Sequence, residues 1–141
     1  MREILFRGKR VDSGEWAHGD LMHCNEIRSK REMTCIWFPA DDGLTHEAHI
    51  DPDTVGQYTG LMDKNGKRIF EGDILRYQIN IKTAIVGKIV FMCGAFVFAS
   101  EELDRECEIA FATFADDEIS MSQHCIEVIG NIHDHPELMG E

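Results

Sequence analysis

The stretch Ile50–Ile81, IDPDTVGQYTGLMDKNGKRIFEGDILRYQINI, decides how this chain is read. Three turn signals punctuate it: Gly60 after the run ending Gln57-Tyr58-Thr59, the pair Asn65-Gly66, and Gly72 ahead of Asp73. Asn and Gly both tolerate a positive φ, which two-residue hairpin turns demand. Asn65-Gly66, between Met62-Asp63 and Ile69-Phe70, therefore predicts a tight hairpin. Beyond Gly72 the residues alternate, with Leu75, Tyr77, Ile79 and Ile81 on one side and Arg76, Gln78 and Asn80 on the other. That period predicts a half-buried strand over Asp73–Ile81. The stretch specifies backbone geometry and holds no recognisable reaction site.

Working outward, Ile4–Leu21 reads as a hairpin: a strand, a turn at Asp12-Ser13-Gly14, and a strand through Trp16 to Met22. Asn25–Lys30 is polar, a loop or short helical turn. Met33–Phe38 has strand composition and Pro39 ends it. Asp41-Asp42-Gly43 turns the chain before a short strand over Thr45–Ile50, and Asp51-Pro52 favours a turn or one helical turn. Downstream, Ile85–Phe91, a turn at Met92-Cys93-Gly94, and Ala95–Ala99 with Phe96 and Phe98 on one face continue a meander. Ser100–Glu106 reads as a short helix with anions in its first turn. Glu108–Phe114 is a strand, Ala115–Gln123 an acidic loop, and Cys125–Ile132 the closing strand with Ile126, Val128 and Ile132 on one face. Pro136 opens a final helical turn. Short antiparallel strands joined by small turns are the pattern of an SH3-like barrel.

Three blocks in order carry a family resemblance: I-L-F-R-G-K-R-V-D-S-G-E-W-x-x-G-D-L (Ile4–Leu21), D-x-x-T-V-G-Q-Y-T-G-L-x-D-x-N-G-K-x-I-F-E-G-D-I (Asp51–Ile74) and I-E-V-I-G-N-I-H-D-H-P-E-L (Ile126–Leu138). Together they resemble the YopX family of phage and prophage proteins over nearly the whole chain. The resemblance implies a phage genome, an SH3-like β-barrel and no established activity, so it carries over no catalytic residues. One departure is His135, where the family often has Asn. It weakens the N-cap of the terminal helical turn.

At 141 residues and 43% hydrophobic, the chain can bury one modest core or two small linked ones. No apolar run approaches the roughly 18 residues of a membrane span, and no signal peptide is visible. The expected location is the cytoplasm of a bacterial host. Five widely spaced cysteines, Cys24, Cys35, Cys93, Cys107 and Cys125, form no C-x-x-C pair and read as small buried hydrophobes in a reducing compartment. The formal net charge of -12 is unevenly placed. Residues 1–60 hold 7 basic and 11 acidic side chains, a net of -4. Residues 61–100 hold 6 and 3, a net of +3, and residues 101–141 hold 1 and 12, a net of -11.

The strongest chemical constellation is His46-x-x-His49 with Asp51 and Asp53 nearby, to which His133-x-His135 could add ligands if the ends of the chain met. The spacing is not H-E-x-x-H and the helix pattern is absent, so exposed loop histidines are the favoured reading. Asp63-x-Asn65-Gly66 resembles a calcium loop but lacks the earlier ligand and the closing Glu of an EF-hand, with Leu61 and Gly72 in those places. A turn is favoured there. No cysteine or serine (Ser13, Ser120 or Ser122) sits in a nucleophile context, and no glycine loop binds phosphate.

The basic segment (Lys64, Lys67, Arg68, Arg76, Lys82, Lys88) could face nucleic acid, with Tyr77 or Phe70 as stacking aromatics. The -11 that follows opposes a phosphate backbone, so mutual neutralisation of the two segments is favoured. The acidic residues, including Glu101-Glu102 and Asp116-Asp117-Glu118, could instead imitate DNA and occupy a host protein.

The expected protein is mainly β: a β-rich segment over 1–60, then an SH3-like barrel over 61–141 with a closing strand. Its expected role is a non-enzymatic accessory module acting through protein contacts, as a homo-oligomer. No catalytic, cofactor-binding or metal-ligating residue is assigned, no cofactor is expected, and neither membrane nor nucleic acid is the expected partner. An enzyme would need a pocket gathering two or more of His46, His49, His133, Cys35 and Cys125.

Overall fold

The computed structural model describes residues 2–26, 31–101, 109–110 and 125–139. Their strands are β1 (Phe6–Lys9), β2 (Trp16–Glu26), β3 (Arg31–Pro39), β4 (Thr45–His49), β5 (Gly56–Met62), β6 (Arg68–Phe70), β7 (Asp73–Gln78), β8 (Ala84–Met92), β9 (Ala95–Ala99), β10 (Ile109–Ala110) and β11 (Ile126–Asn131). Two 3₁₀ turns, Pro52–Thr54 and Pro136–Met139, complete the described elements. The chain divides into two units, Met1–Tyr58 and Thr59–Glu141. No helix among the described residues is long and apolar enough to cross a membrane.

In the first unit the strands lie in the order β4-β3-β2-β1-β5, each antiparallel to its neighbours. The β1–β2 turn falls where Asp12-Ser13-Gly14 predicts it, held by Gly14 N–H to the Arg10 carbonyl at 2.9 Å. Alternation sends Ile36 and Phe38 of β3 and Ala48 of β4 to one face, where they join Ala17, Ile50, Phe6, Leu21 and Val55 as a core. Asp51 caps the turn Pro52–Thr54 by accepting from Asp53 N–H at 3.1 Å, the service short Asx side chains give a helix start. Thr54 Oγ1 then accepts from Lys9 N–H at 2.8 Å and ties that turn to β1. β5 begins in this unit, with Gly56 and Gln57 opposite Arg7 and Phe6. From Thr59 onward it belongs to the second unit.

In the second unit the order is β10-β9-β8-β7-β11, again antiparallel. Ile69, Leu75, Ile85, Ile89, Phe98 and Ile126 form its core, with Leu61, Tyr77, Phe96 and Val128 packed around them. Each large aliphatic or aromatic side chain removed from water contributes about 1.5–3 kcal/mol. Phe96 and Phe98 share this side of β9, as their spacing predicts.

The mainly β class is observed; a closed barrel is not. Closure requires the first and last strands to pair along a staggered ladder. Among the described residues β10 offers two ladder positions, both matched to β9, and β11 is matched to β7.

Three local expectations change. The Asn65-Gly66 turn is not a two-residue hairpin: Asp63 N–H donates to the Lys67 carbonyl at 2.8 Å, enclosing three residues. Only Gly66 has a positive φ, 79°, because Asp63 Oδ1 captures the N–H groups of Asn65 and Lys67 and selects a longer turn with one left-handed residue. A primed two-residue turn occurs elsewhere, at Cys93-Gly94, where φ is 53° and 81°.

Gly60 does not turn the chain either. β5 runs through it at a φ of 90°, and Thr59 Oγ1 bridges the irregularity, donating to the Ile69 carbonyl at 2.8 Å. Finally, β7 stops at Gln78, leaving Ile79 and Ile81 exposed, the latter fully. Asn80 Oδ1 accepts from Lys82 and Thr83 N–H, an Asx turn that competes with the strand and wins.

Of the helix expected over Ser100–Glu106 and the strand over Glu108–Phe114, only Ser100, Glu101, Ile109 and Ala110 are described, the last two as β10. The Ser100 hydroxyl donates to the Val86 carbonyl at 2.6 Å. The acidic loop Ala115–Gln123 and residues 27–30 lie outside the described residues, whereas Asn25 and Glu26 belong to β2. The closing strand and the Pro136 turn form where expected.

Candidate functional site

The β3–β4 hairpin brings together side chains that sequence spacing keeps apart. Pro39 ends β3, and the turn closes through Gly43 N–H to the Ala40 carbonyl at 3.0 Å and Leu44 N–H to Asp42 Oδ1 at 2.9 Å. His46 Nε2 lies 2.8 Å from Asp42 Oδ2. The Leu44 N–H bond, with His46 assisting, holds the Asp42 carboxyl below its ordinary value of 3.8. The resulting register sets Cys35 opposite His49 and Trp37 opposite Glu47.

Successive strand side chains alternate faces. His46 and His49, three apart, therefore diverge. His46 stacks on Phe38 with ring centroids 6.1 Å apart, and His49 stands beside Glu47 and Cys35 on the other face. The ligand atoms of Cys35, Glu47 and His49 all lie within 4.8 Å of one another, the one such group of three among the described residues. Cys35 Sγ donates to Glu47 Oε1 at 3.4 Å, and His49 Nε2 is 3.3 Å from that same oxygen. Trp37 Nε1 donates to Glu47 Oε2 at 3.1 Å. Cys35 is fully buried, while the side chains of His49 and Glu47 are 55% and 41% exposed. Of the expected metal ligands only His49 joins this group, and Cys35 beside it is a second of the five residues that sequence singles out for a reaction pocket. Glu47 was not anticipated, because it becomes a neighbour of Cys35 only through the hairpin register; the E-A-H spacing of Glu47 and His49 was the available signal.

The other expected ligands have structural work. Asp51 caps its turn, and Asp53 supplies the capping N–H. Asn131 Oδ1 gathers the N–H groups of His133 and Asp134 at 3.0 and 2.9 Å, so Asn131 organises the bend before Pro136. His135 accepts at Nδ1 from Asn131 N–H at 3.4 Å. Asp63 is 1% exposed and holds backbone: Oδ1 accepts from Asn65 and Lys67, and Oδ2 from Val128 N–H at 3.0 Å. The turn reading therefore stands over the calcium reading.

Among the cysteines, Cys35 is buried as expected. Cys93 is exposed, because a residue at the tip of a two-residue hairpin has no core to enter. Cys125 is half-buried near Tyr77, whose phenol is pushed above 10.0 by burial, with Cys125 adding to the effect. The side chain of Cys24 and all of Cys107 lie outside the described residues.

The basic segment is partly engaged. Arg76 and Lys64 both pair with Glu127 Oε2, at 2.6 and 3.4 Å. Arg76 chiefly, with Lys64 assisting, holds the Glu127 carboxyl below its ordinary value of 4.5. Of the two proposed stacking aromatics Phe70 is buried, and Tyr77 is half-buried, packed edge-on to Phe98 at 6.4 Å. A separate cation–aromatic patch occurs on the first sheet, where Arg7 and Lys9 lie 4.6 and 5.6 Å from the Trp16 ring centroid.

A sequence search of curated proteins finds no match. Among solved structures the chain is similar to protein EF1440 from Enterococcus faecalis, at 25% identity and a TM-score of 0.53, with 99% of each chain covered. The family described as YopX protein matches residues 5–140, so the chain belongs to the YopX family.

Proposed function

We propose that this YopX-family chain is a phage- or prophage-encoded accessory protein of the bacterial cytoplasm that works through protein contacts, without catalysis, as a homo-oligomer. The observation that carries this reading is the outer position of β4 in the first sheet. An outer strand carries backbone N–H and C=O groups that can template another strand, and natural proteins commonly blunt such edges with Lys or Pro. Neither residue occurs in Thr45–His49. Exposed Leu44 and Trp37 lie beside it and supply apolar contact. The occupant is the β4 of a second copy, since two antiparallel β4 strands make a self-complementary two-fold contact.

Ile50 N–H bonds to the Thr34 carbonyl, so even-numbered positions of β4 face β3 and odd-numbered backbone groups face outward. The outward His49 carbonyl accepts from Val11 N–H at 3.0 Å, so the templating edge is the Thr45–Glu47 part of the strand. Thr45→Pro therefore removes an outward N–H and leaves the β3–β4 ladder intact. Sedimentation equilibrium at physiological salt should give a dimer for the parent and a monomer for Thr45→Pro. A monomeric parent overturns the proposal.

The engagement of Arg76 and Lys64 by Glu127 favours protein contact over a nucleic-acid role, because it draws on the basic segment's charge.

A further inference from the structure

We propose that Cys35, Glu47 and His49 form a binding site for a divalent ion of the zinc class, with a fourth coordination position open to solvent. The donor set is thiol sulfur, carboxylate oxygen and imidazole nitrogen, the combination that a borderline-soft ion takes. Zinc bonds of about 2.3 Å to sulfur and about 2.0–2.2 Å to nitrogen and oxygen, at tetrahedral angles, require ligand atoms about 3.3–3.7 Å apart. The Cys35–Glu47 and His49–Glu47 separations, 3.4 and 3.3 Å, already meet that requirement. The sulfur and the imidazole nitrogen lie within 4.8 Å, so a small rotation of the exposed His49 ring closes the third side.

A second observation concerns orientation. Trp37 holds Glu47 Oε2 at 3.1 Å, which leaves Oε1 as the atom facing both Cys35 and His49. An outer donor that fixes which carboxylate oxygen faces the ion is a recurring feature of metal sites. The hairpin backbone fixes the rest, because Cys35 and His49 are directly paired across the ladder and Glu47 lies two residues from His49 on the same face. The buried thiol supplies the inner wall, and the exposed sides of Glu47 and His49 open outward. Binding converts the Cys35 thiol to a zinc-bound thiolate and releases its proton to solvent. Affinity is therefore expected to fall as pH is lowered.

The test is titration of chelator-treated, reduced full-length protein with zinc by calorimetry, and with cobalt(II) by absorption. One equivalent should bind, with a thiolate-to-cobalt charge-transfer band in the near ultraviolet. His49→Gln and Glu47→Gln, both at exposed side chains, should each weaken zinc at least tenfold. Cys35→Ser should abolish the band, and Cys93→Ser should leave it intact. Far-ultraviolet circular dichroism of each variant reports folding, and the two exposed substitutions decide the matter if Cys35→Ser does not fold. Unchanged affinity in His49→Gln and Glu47→Gln, or cobalt binding without the band, overturns the site.

Discussion

Asp63→Ala should loosen the second unit at a defined place. The carboxylate is 1% exposed and accepts three backbone N–H groups, from Asn65 and Lys67 at 2.9 Å each and from Val128 at 3.0 Å. Hydrogen bonds to a charged acceptor contribute about 1.5–3 kcal/mol each. Asn65 and Lys67 are exposed, so water replaces much of what they lose, whereas the half-buried Val128 amide has less access to it. Relief from burying a carboxylate offsets part of the loss. The net expectation is about 2–4 kcal/mol of destabilisation. Asp63→Asn keeps the shape and one acceptor oxygen, but sets an amide donor against a backbone donor, and should cost about 1–3 kcal/mol. Urea unfolding followed by circular dichroism should show a lower midpoint at constant slope. Amide exchange at Val128 should quicken by about 30- to 700-fold, the same free energy at 1.4 kcal/mol per tenfold. An unchanged midpoint with Val128 protection intact in Asp63→Ala would show that this carboxylate does not hold turn and strand together.

Cys93 sits at a φ of 53° in the two-residue turn with Gly94, so Cys93→Asn should raise stability by about 0.5–1 kcal/mol and Gly94→Ala lower it by about 1–2 kcal/mol, both read from thermal midpoints. Phe98 has no exposure at the centre of the second core, and Phe98→Ala should cost about 3–5 kcal/mol in denaturant unfolding. Glu127 is held ionised by Arg76 and Lys64, so its contribution is complete above its ordinary value of 4.5 and fades as pH falls below it. Glu127→Gln should therefore lower the melting temperature slightly at pH 7, and the difference should shrink as pH is lowered below 4.5. Salt should shrink the pH 7 difference, because the pair is exposed.

Much of the fold was legible because its signals are local. Pro39 stops β3, Asp12-Ser13-Gly14 turns the first hairpin, and the 96/98 spacing of Phe side chains points both into one core. Two of the misreadings share a cause. Asn65-Gly66 carries the composition of a primed turn, but Asp63 binds the neighbouring N–H groups and selects a three-residue loop. Ile79 and Ile81 continue the alternation, yet Asn80 turns the chain beneath them. In both cases one polar side chain captured backbone donors before the next ladder bond could form, a competition that apolar periodicity does not record.

The candidate site was legible only in part. His49 and Cys35 both stand among the residues that sequence singles out, but the pairing that spacing suggests, His46 with His49, does not form, since a spacing of three in a strand sets the two on opposite faces. Sequence alone determined that Asp12-Ser13-Gly14 and Cys93-Gly94 turn the chain and that Phe96 and Phe98 share a strand face, because each depends on a residue and its near neighbours. Tertiary structure alone decided that Cys35 meets Glu47 and His49, and that Asp63 reaches Val128. Those meetings depend on cross-strand register and chain return over many residues, and no local preference specifies them.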